Sequence, residues 1–283
     1  MSKKMTMQEA ITEAKRCLNC SRPLCRTGCP IENNIPEFVR ALSEGNIGNA
    51  YETIAERSNL PAICGRVCAH EKQCEAHCIL AKKNSAISIG SLEMFIADFA
   101  HEYGLNPVPP STGKRGKVAV IGSGPAGLTV AGDLAKMDFA VTIFEGQPEP
   151  GGVLLFGIPE FRLEKEVVRR EINILRKLGV EIVTEKLIGP DMTVDDLFAQ
   201  GYDAIFMGTG TALPRTLDIP GQELSGILTA TYFLKVVVLA DSGKLDKKEV
   251  LIHDDDDVVV IGAGNVAIDA ARTAIRRTSG NVT

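Results

Sequence analysis

No cysteine occurs after Cys78, although the 283-residue chain contains eight. A disulfide framework would be spread through a secreted chain, so this confinement to Cys17 through Cys78 argues against one and points instead to thiols gathered for metal in a reducing compartment. Long apolar runs are also missing. The longest, such as Val236 to Ala240, are far too short to span a bilayer, which excludes a transmembrane helix. The opening MSKKMTMQEAITEAKRC has a basic pair but no apolar segment behind it, so no secretory signal is expected there and the expected location is cytoplasmic. Nor is there a run of basic residues. Lys and Arg are spread along a chain of net charge -5, which gives no footprint for nucleic acid or an anionic membrane. What remains is 45% hydrophobic and 24% charged, the balance of a globular protein, at a length that implies two or three domains.

The first hundred residues have helical periodicity. Thr6-x-x-Glu9 forms a capping-box pattern ahead of Ala10, Ile11, Ala14 and Leu18. Pro36 suits the first position of a helix carrying Phe38, Val39 and Leu42, Asn46 suits the cap of another, and a last helix is expected from Ser91 to Tyr103. The stretch Asn106 to Lys117, NPVPPSTGKRGK, has three prolines, two glycines and no apolar periodicity, and so predicts a linker. The expected organisation is a helical domain over 1–105, a linker over 106–117, a parallel α/β domain beginning at 118 and running to 252, and the start of a second α/β unit over 253–283. Only a short stretch follows Asp257, too little to close a nucleotide-binding sheet, so the polypeptide is expected to be truncated.

The cysteines fall in two groups. Cys17-x2-Cys20-x4-Cys25-x3-Cys29-Pro30 is close to the ferredoxin run C-x2-C-x2-C-x3-C-P, in which the cysteine before proline ligates the other cluster. Cys64-x3-Cys68-x5-Cys74-x3-Cys78 supplies the complement, and two 4Fe-4S clusters follow from the count. A pair of zinc sites is the alternative, which the Cys-Pro ending and the x3 and x5 gaps fit poorly.

Two glycine motifs follow. Gly122, Gly124 and Gly127 in VIGSGPAG, with Pro125 and Ala126 opening a helix, lie behind the apolar strand Lys117 to Ile121. That order of strand, turn and helix suits a dinucleotide pyrophosphate at a helix N-terminus, and Glu145 at the end of the next strand suits ribose hydroxyls, for FAD or NAD. Gly262 and Gly264, with Asn265, Val266 and an alanine at 267, repeat the pattern after an all-apolar strand and imply a second nucleotide. The acidic run Asp254 to Asp257 lacks the alternation and glycine of a calcium loop and is expected to be a solvated turn.

On CLNCSRPLCRTGCP, PAICGRVCAHEKQCEAHC, VIGSGPAG, EPGGVLLFGIPEFRL, GTGTALPRTLDIPG and VIGAGNVAIDAARTA, in that order, the chain resembles the small (beta) subunit family of glutamate synthase. The same module is found in the large subunit of NADH-dependent ferredoxin:NADP oxidoreductase and in the N-terminal half of dihydropyrimidine dehydrogenase. The resemblance implies that Cys17, Cys20, Cys25 and Cys78 hold one cluster, while Cys29, Cys68 and Cys74 hold the other with Glu93 as fourth ligand. Cys64 is then a packing thiol, against the simple count. It also places Gly151, Gly152 and Leu154, then Ile158 to Arg162, against FAD, with Gly208, Thr209 and Gly210 as a further dinucleotide contact. Ala69 stands where the family usually has proline.

A nicotinamide gives two electrons as hydride and a 4Fe-4S cluster takes one, so a flavin between them would split the pair. The resemblance therefore implies an NAD(P)H-dependent oxidoreductase whose cofactors carry the chemistry without a catalytic acid, base or nucleophile. Its partner would be a larger catalytic subunit or a ferredoxin-type acceptor. The alternatives are an electron-bifurcating subunit and a non-catalytic relay or scaffold.

Overall fold

The computed structural model describes residues 4–83, 85–105, 110–211 and 217–283. Helices α1 (Met7–Ala14), α2 (Leu24–Thr27), α3 (Ile35–Ser43), α4 (Ile47–Ala55), α5 (Pro61–Val67) and α6 (Ile89–Glu102) form the N-terminal part. The Thr6–Glu9 capping box is present, and Asn46 caps α4 through the Asn49 N–H. Pro36 is the second residue of α3, not the first, and α6 starts two residues ahead of the expected Ser91. Ile35, Phe38, Val39 and Leu42 of α3 meet Ile89, Leu92, Ile96 and Ala100 of α6 in one apolar core, as their helical spacing dictates. Helix α5 crosses α6 closely at Gly65, where an added Cβ would stand 2.5 Å from the Met94 nitrogen.

The second part is a parallel sheet of β1 (Lys117–Ile121), β2 (Ala140–Phe144), β3 (Glu181–Val183) and β4 (Ala204–Met207), in the order β3-β2-β1-β4. Helices α7 (Pro125–Lys136), α8 (Val153–Phe156), α9 (Lys165–Lys177) and α10 (Val194–Ala199) complete it. The strand order reverses direction at β1, whose two neighbours are β2 and β4, and this is the place where open α/β sheets bind ligands.

Of the expected linker, residues 106–109 lie outside the described residues. The rest is fastened down: Ser111 N–H donates to Leu178 O, and Thr112 N–H to the Asp138 carboxylate at 2.6 Å. The two parts share one core, in which Leu60, Ala62, Ile63 and Ala97 pack with Val120, Leu128, Ile143, Val168 and Ile172. Polar contacts follow the same seam. Arg66 of α5 bridges Asp98 (2.8 Å) and Glu164 (3.2 Å), and Arg170 of α9 also pairs with Asp98. Asn59 Nδ2 donates to Thr129 O (3.0 Å) and Asp133 Oδ1 (2.6 Å) on α7.

Asn59 lies flat on Gly132, where an added Cβ would be 2.6 Å from its side-chain amide. Gly132→Ala is therefore expected to wedge the seam open and destabilise the fold by about 1–3 kcal/mol, the usual cost of overpacking. A urea titration of the variant against the parent measures this.

The C-terminal part contains α11 (Ala230–Asp241) and α12 (Asn265–Ala274), packed through Phe233, Leu234, Val237, Ala240, Val250, Ala270 and Ala274. Arg162 ties this part to the sheet domain by an ion pair to Asp269 at 2.7 Å, and Arg272 and Arg276 both lie over the Phe161 ring. The apolar segment before Gly262 does not form the expected buried strand. It has a single parallel bridge, Val258 to Val282, and Val259 and Ile261 are 74% and 71% exposed. A strand buries its side chains only between neighbouring elements, and among the described residues this one is paired with residues 281–283 alone. The acidic run is a turn pinned by its own chain: the Asp257 carboxylate accepts from Asn281, and Asp254 O from Thr278 and Ser279.

Candidate functional site

The loop after α1, helices α2 and α3, the segment 77–80 and Ile87 and Ile89 close around a cavity of about 70 Å³ lined by Cys17, Cys20, Cys25 and Cys78. Sequence distance is bridged by the fold: Cys78 comes back to the N-terminal loop as the fourth thiol. Burial raises the Cys17 thiol pKa and pushes that of Cys25 up to about 11, with the neighbouring thiols adding to the shift. Cys17 and Cys25, which resist ionisation on their own, require a cationic centre to become thiolates, and four thiols around one space fit an iron-sulfur core.

The second group gathers on α5, α6 and the loop between them. Cys74 is buried, its thiol raised mainly by burial and also by the nearby Glu75, Glu93 and Cys29. Glu93 projects from α6 into this space, its carboxyl raised far above the carboxylate range by burial, with Cys68 and Glu171 adding to it. Cys64 sits there as well. Its thiol hydrogen-bonds Cys68, which raises Cys64 and lowers Cys68, and Glu93 lies close by. Both Glu93 and Cys64 thus stand beside Cys68. Among the described residues, no three His, Cys, Asp or Glu side chains are placed to hold a single metal ion. The thiols line a space wider than one ion.

Glu171 links the two parts, and sequence reasoning missed it. Helix α5 has no side-chain cap of its own, and Glu171, from α9, accepts a hydrogen bond from the Ala62 N–H at its start. The only sequence signal is an acidic residue among the apolar positions Val167, Val168, Ile172 and Leu175 of α9.

At the carboxyl ends of β1 and β4 the glycine motifs converge. Gly122 has φ +96°, and an added Cβ there would strike the Gly208 carbonyl and approach Thr209. At Gly152 a Cβ would stand 2.7 Å from Gly124 Cα, so the 151–152 turn lies directly on the first loop. Gly124 itself faces open space at the start of the twelve-residue α7, whose unpaired N–H groups and dipole favour an anion there. This cradle fits a dinucleotide pyrophosphate. Gly210 follows Thr209 with φ +73°, while residues 212–216 of the GTGTALPRTLDIPG motif lie outside the described residues.

Glu145 is already engaged. Its Oε2 accepts from the Ser123 N–H (3.0 Å) and hydroxyl, and its Oε1 from Gln147 N–H (2.8 Å). Ser123 Oγ in turn accepts from Gly151 N–H at 2.9 Å, so this buried serine, which sequence reasoning passed over, joins both loops to the acid. Leu154 packs its side chain into the core, and its carbonyl accepts from the buried Lys165 ammonium, which also holds Ile158 O. Burial brings Lys165 down to about 8.

A Cβ on Gly127 would fall within the Gly122 carbonyl oxygen. Gly127→Ala is expected to push α7 off β1 and to lower bound flavin at least tenfold, measured as flavin absorbance per chain with circular dichroism as the check on folding.

In the second motif Gly262 has φ +132° and packs on Ala267, while Gly264 caps α12 and faces open space. Asn265 and Val266 form the first turn of α12, and Val266 is exposed.

An all-parallel sheet with a glycine cradle at its switch point, joined through one core to a helical domain with two groups of cysteines, defines a two-part redox protein. Residues 116–283 match pyridine nucleotide-disulphide oxidoreductase, and the chain belongs to that family. Residues 1–105 match dihydropyrimidine dehydrogenase domain II, 4Fe-4S cluster. The chain is similar to the glutamate synthase [NADPH] small chain of Halomonas elongata, at 40% identity over 98% of this chain and 59% of that one. It is also similar to that of Escherichia coli, at 37% identity over 97% and 59%. Glutamate synthase [NADH] of Saccharomyces cerevisiae is 34% identical over 98% of this chain and 13% of its own length. The chain thus spans 59% of the length of the two bacterial relatives. Among the described residues no helix is long and apolar enough to cross a membrane.

Proposed function

We propose that this chain is the electron-input part of an NAD(P)H-dependent flavin and iron-sulfur oxidoreductase of the glutamate synthase small-chain kind, passing electrons to a larger catalytic subunit. In this reading Cys17, Cys20, Cys25 and Cys78 hold one 4Fe-4S cluster, and Cys29, Cys68, Cys74 and Glu93 hold the other. Residues 122–127, 145, 151–152 and 208–210 cradle FAD, and 262–266 meet the nicotinamide nucleotide. A flavin held there would supply the conversion between a two-electron hydride donor and one-electron clusters.

The residues of the chain set position and environment. The observation that carries the proposal is the shared core: α5 bears Cys64 and is followed directly by Cys68, while Leu60, Ala62 and Ile63 of the same segment are packed into the core that also contains Val120 and Leu128, which flank the glycine loop. That packing holds the second cysteine group at a fixed separation from the dinucleotide cradle. Ser123 and Glu145 fix the loops against each other, and Lys165 holds the 154–158 turn. Anaerobic purification with iron, sulfide, zinc and flavin measured per chain tests the proposal. About eight irons, eight sulfides and one FAD, with spectra bleached by NAD(P)H, are expected; zinc without sulfide overturns it.

A further inference from the structure

We propose that the mouth of the cavity lined by Cys17, Cys20, Cys25 and Cys78 is the docking surface for the acidic face of an electron-accepting protein. This inference rests on the electron-input reading and adds where, and to what kind of surface, the electrons leave.

Three large apolar side chains lining the cavity stand out into solvent: Leu18 is 60% exposed, Leu24 54% and Ile79 48%. Ile31, 39% exposed, lies two residues beyond Cys29. Apolar side chains grouped around one opening mark a contact surface more than a scatter of single exposed residues does. Arg22 lines the opening beside them, and the segments that carry Leu18, Leu24 and Ile79 are basic. Residues 15–31 contain Lys15, Arg16, Arg22 and Arg26 and no acid, and residues 76–83 contain Lys82 and Lys83 and no acid, in a chain with more Asp and Glu than Lys and Arg. Arg16 is paired with Glu13, whereas Lys15, Arg22, Arg26, Lys82 and Lys83 make no ion pair among the described residues. Arg22 at the opening, with unpaired basic residues on the segments that form it, steers an acidic surface onto the apolar collar, which is covered on contact. Electron-transfer contacts are small, and one collar of this kind is of the right scale.

The test is binding, by interferometry, of the anaerobically purified chain to two redox proteins of opposite charge. One is an acidic plant-type ferredoxin and the other is basic cytochrome c. The expected result is binding of the ferredoxin that weakens at least tenfold between about 20 and 300 mM salt, with cytochrome c bound far more weakly. The fourfold variant K15E/R22E/K82E/K83E should lose ferredoxin binding at least tenfold and gain cytochrome c. K247E/K248E, a charge change on an exposed segment of the C-terminal part, should leave both unchanged, and Leu24→Ser should weaken ferredoxin binding without altering its salt dependence. Equal binding of both probes, or indifference to the fourfold reversal with iron and sulfide retained, overturns the docking surface and leaves the electron-input reading standing. A chain free of iron and sulfide overturns both.

Discussion

Cys25→Ser is expected to lose one of two 4Fe-4S clusters, about four irons and four sulfides per chain, while flavin binding is kept. The four thiols around the first cavity belong to one group, and no spare donor lines the opening apart from the exposed His77. The second group contains two candidate fourth ligands beside Cys68, Cys64 by a hydrogen bond and Glu93 through the buried space on α6. With Glu93 as ligand, Glu93→Ala should lose the second cluster, and Cys64→Ser should keep all the iron. Glu93→Gln should keep the cluster with a raised reduction potential, because a neutral oxygen donor replaces a negative one and the more negative reduced state gains. Iron and sulfide assays with redox-titrated paramagnetic resonance decide it. Iron loss in Cys64→Ser together with retention in Glu93→Ala would assign the fourth position to Cys64.

Glu171→Gln is expected to stabilise the protein at pH 8 and above by roughly 4–5 kcal/mol, and to have little effect near pH 4. Glu171 is 1% exposed; burial is the main cause raising its carboxyl from 4.5 to about 8, and the Ala62 N–H and the Arg170 and Arg66 charges only partly offset it. One carboxyl oxygen, Oε2, is buried without a hydrogen-bond partner. The sign follows from proton binding. The folded state keeps a proton that the unfolded chain releases above about 4.5, so the stability contributed by this group is fully present below that pH and is lost as pH rises through about 8. Glutamine has no proton to lose and keeps a carbonyl for Ala62 N–H. Urea denaturation of both proteins at a series of pH values reads the difference. A constant difference from pH 4 to 9 would mean that Glu171 is ionised in the fold.

Much of this molecule is written locally. The capping box at Thr6, the cap at Asn46 and the apolar spacing of α3 and α6 are short-range signals, and they produced the helices expected of them. The order of strand, glycine turn and helix at 117–136 likewise carries its own geometry, because a tight turn and close helix packing demand glycine at Gly122 and Gly127. The segment before Gly262 repeats the same letters without the same outcome. Its apolar pattern specifies a strand only when neighbours cover both faces, and Val259 and Ile261 stand exposed.

The sequence by itself determined the two groups of thiols, the glycine cradle and the helical and α/β halves, since each depends on spacing within a few residues. Local spacing left three things to the tertiary structure. Cys78, which the family resemblance assigns to the first thiol group, joins it across the chain. Glu171, an acid set among the apolar positions of α9, is drawn under α5 to cap it. Arg22, Leu18 and Leu24 of the N-terminal segment meet Ile79 at one opening. Each of these is a meeting of distant segments, and such meetings are fixed by how apolar faces pack and which polar groups are then left facing one another.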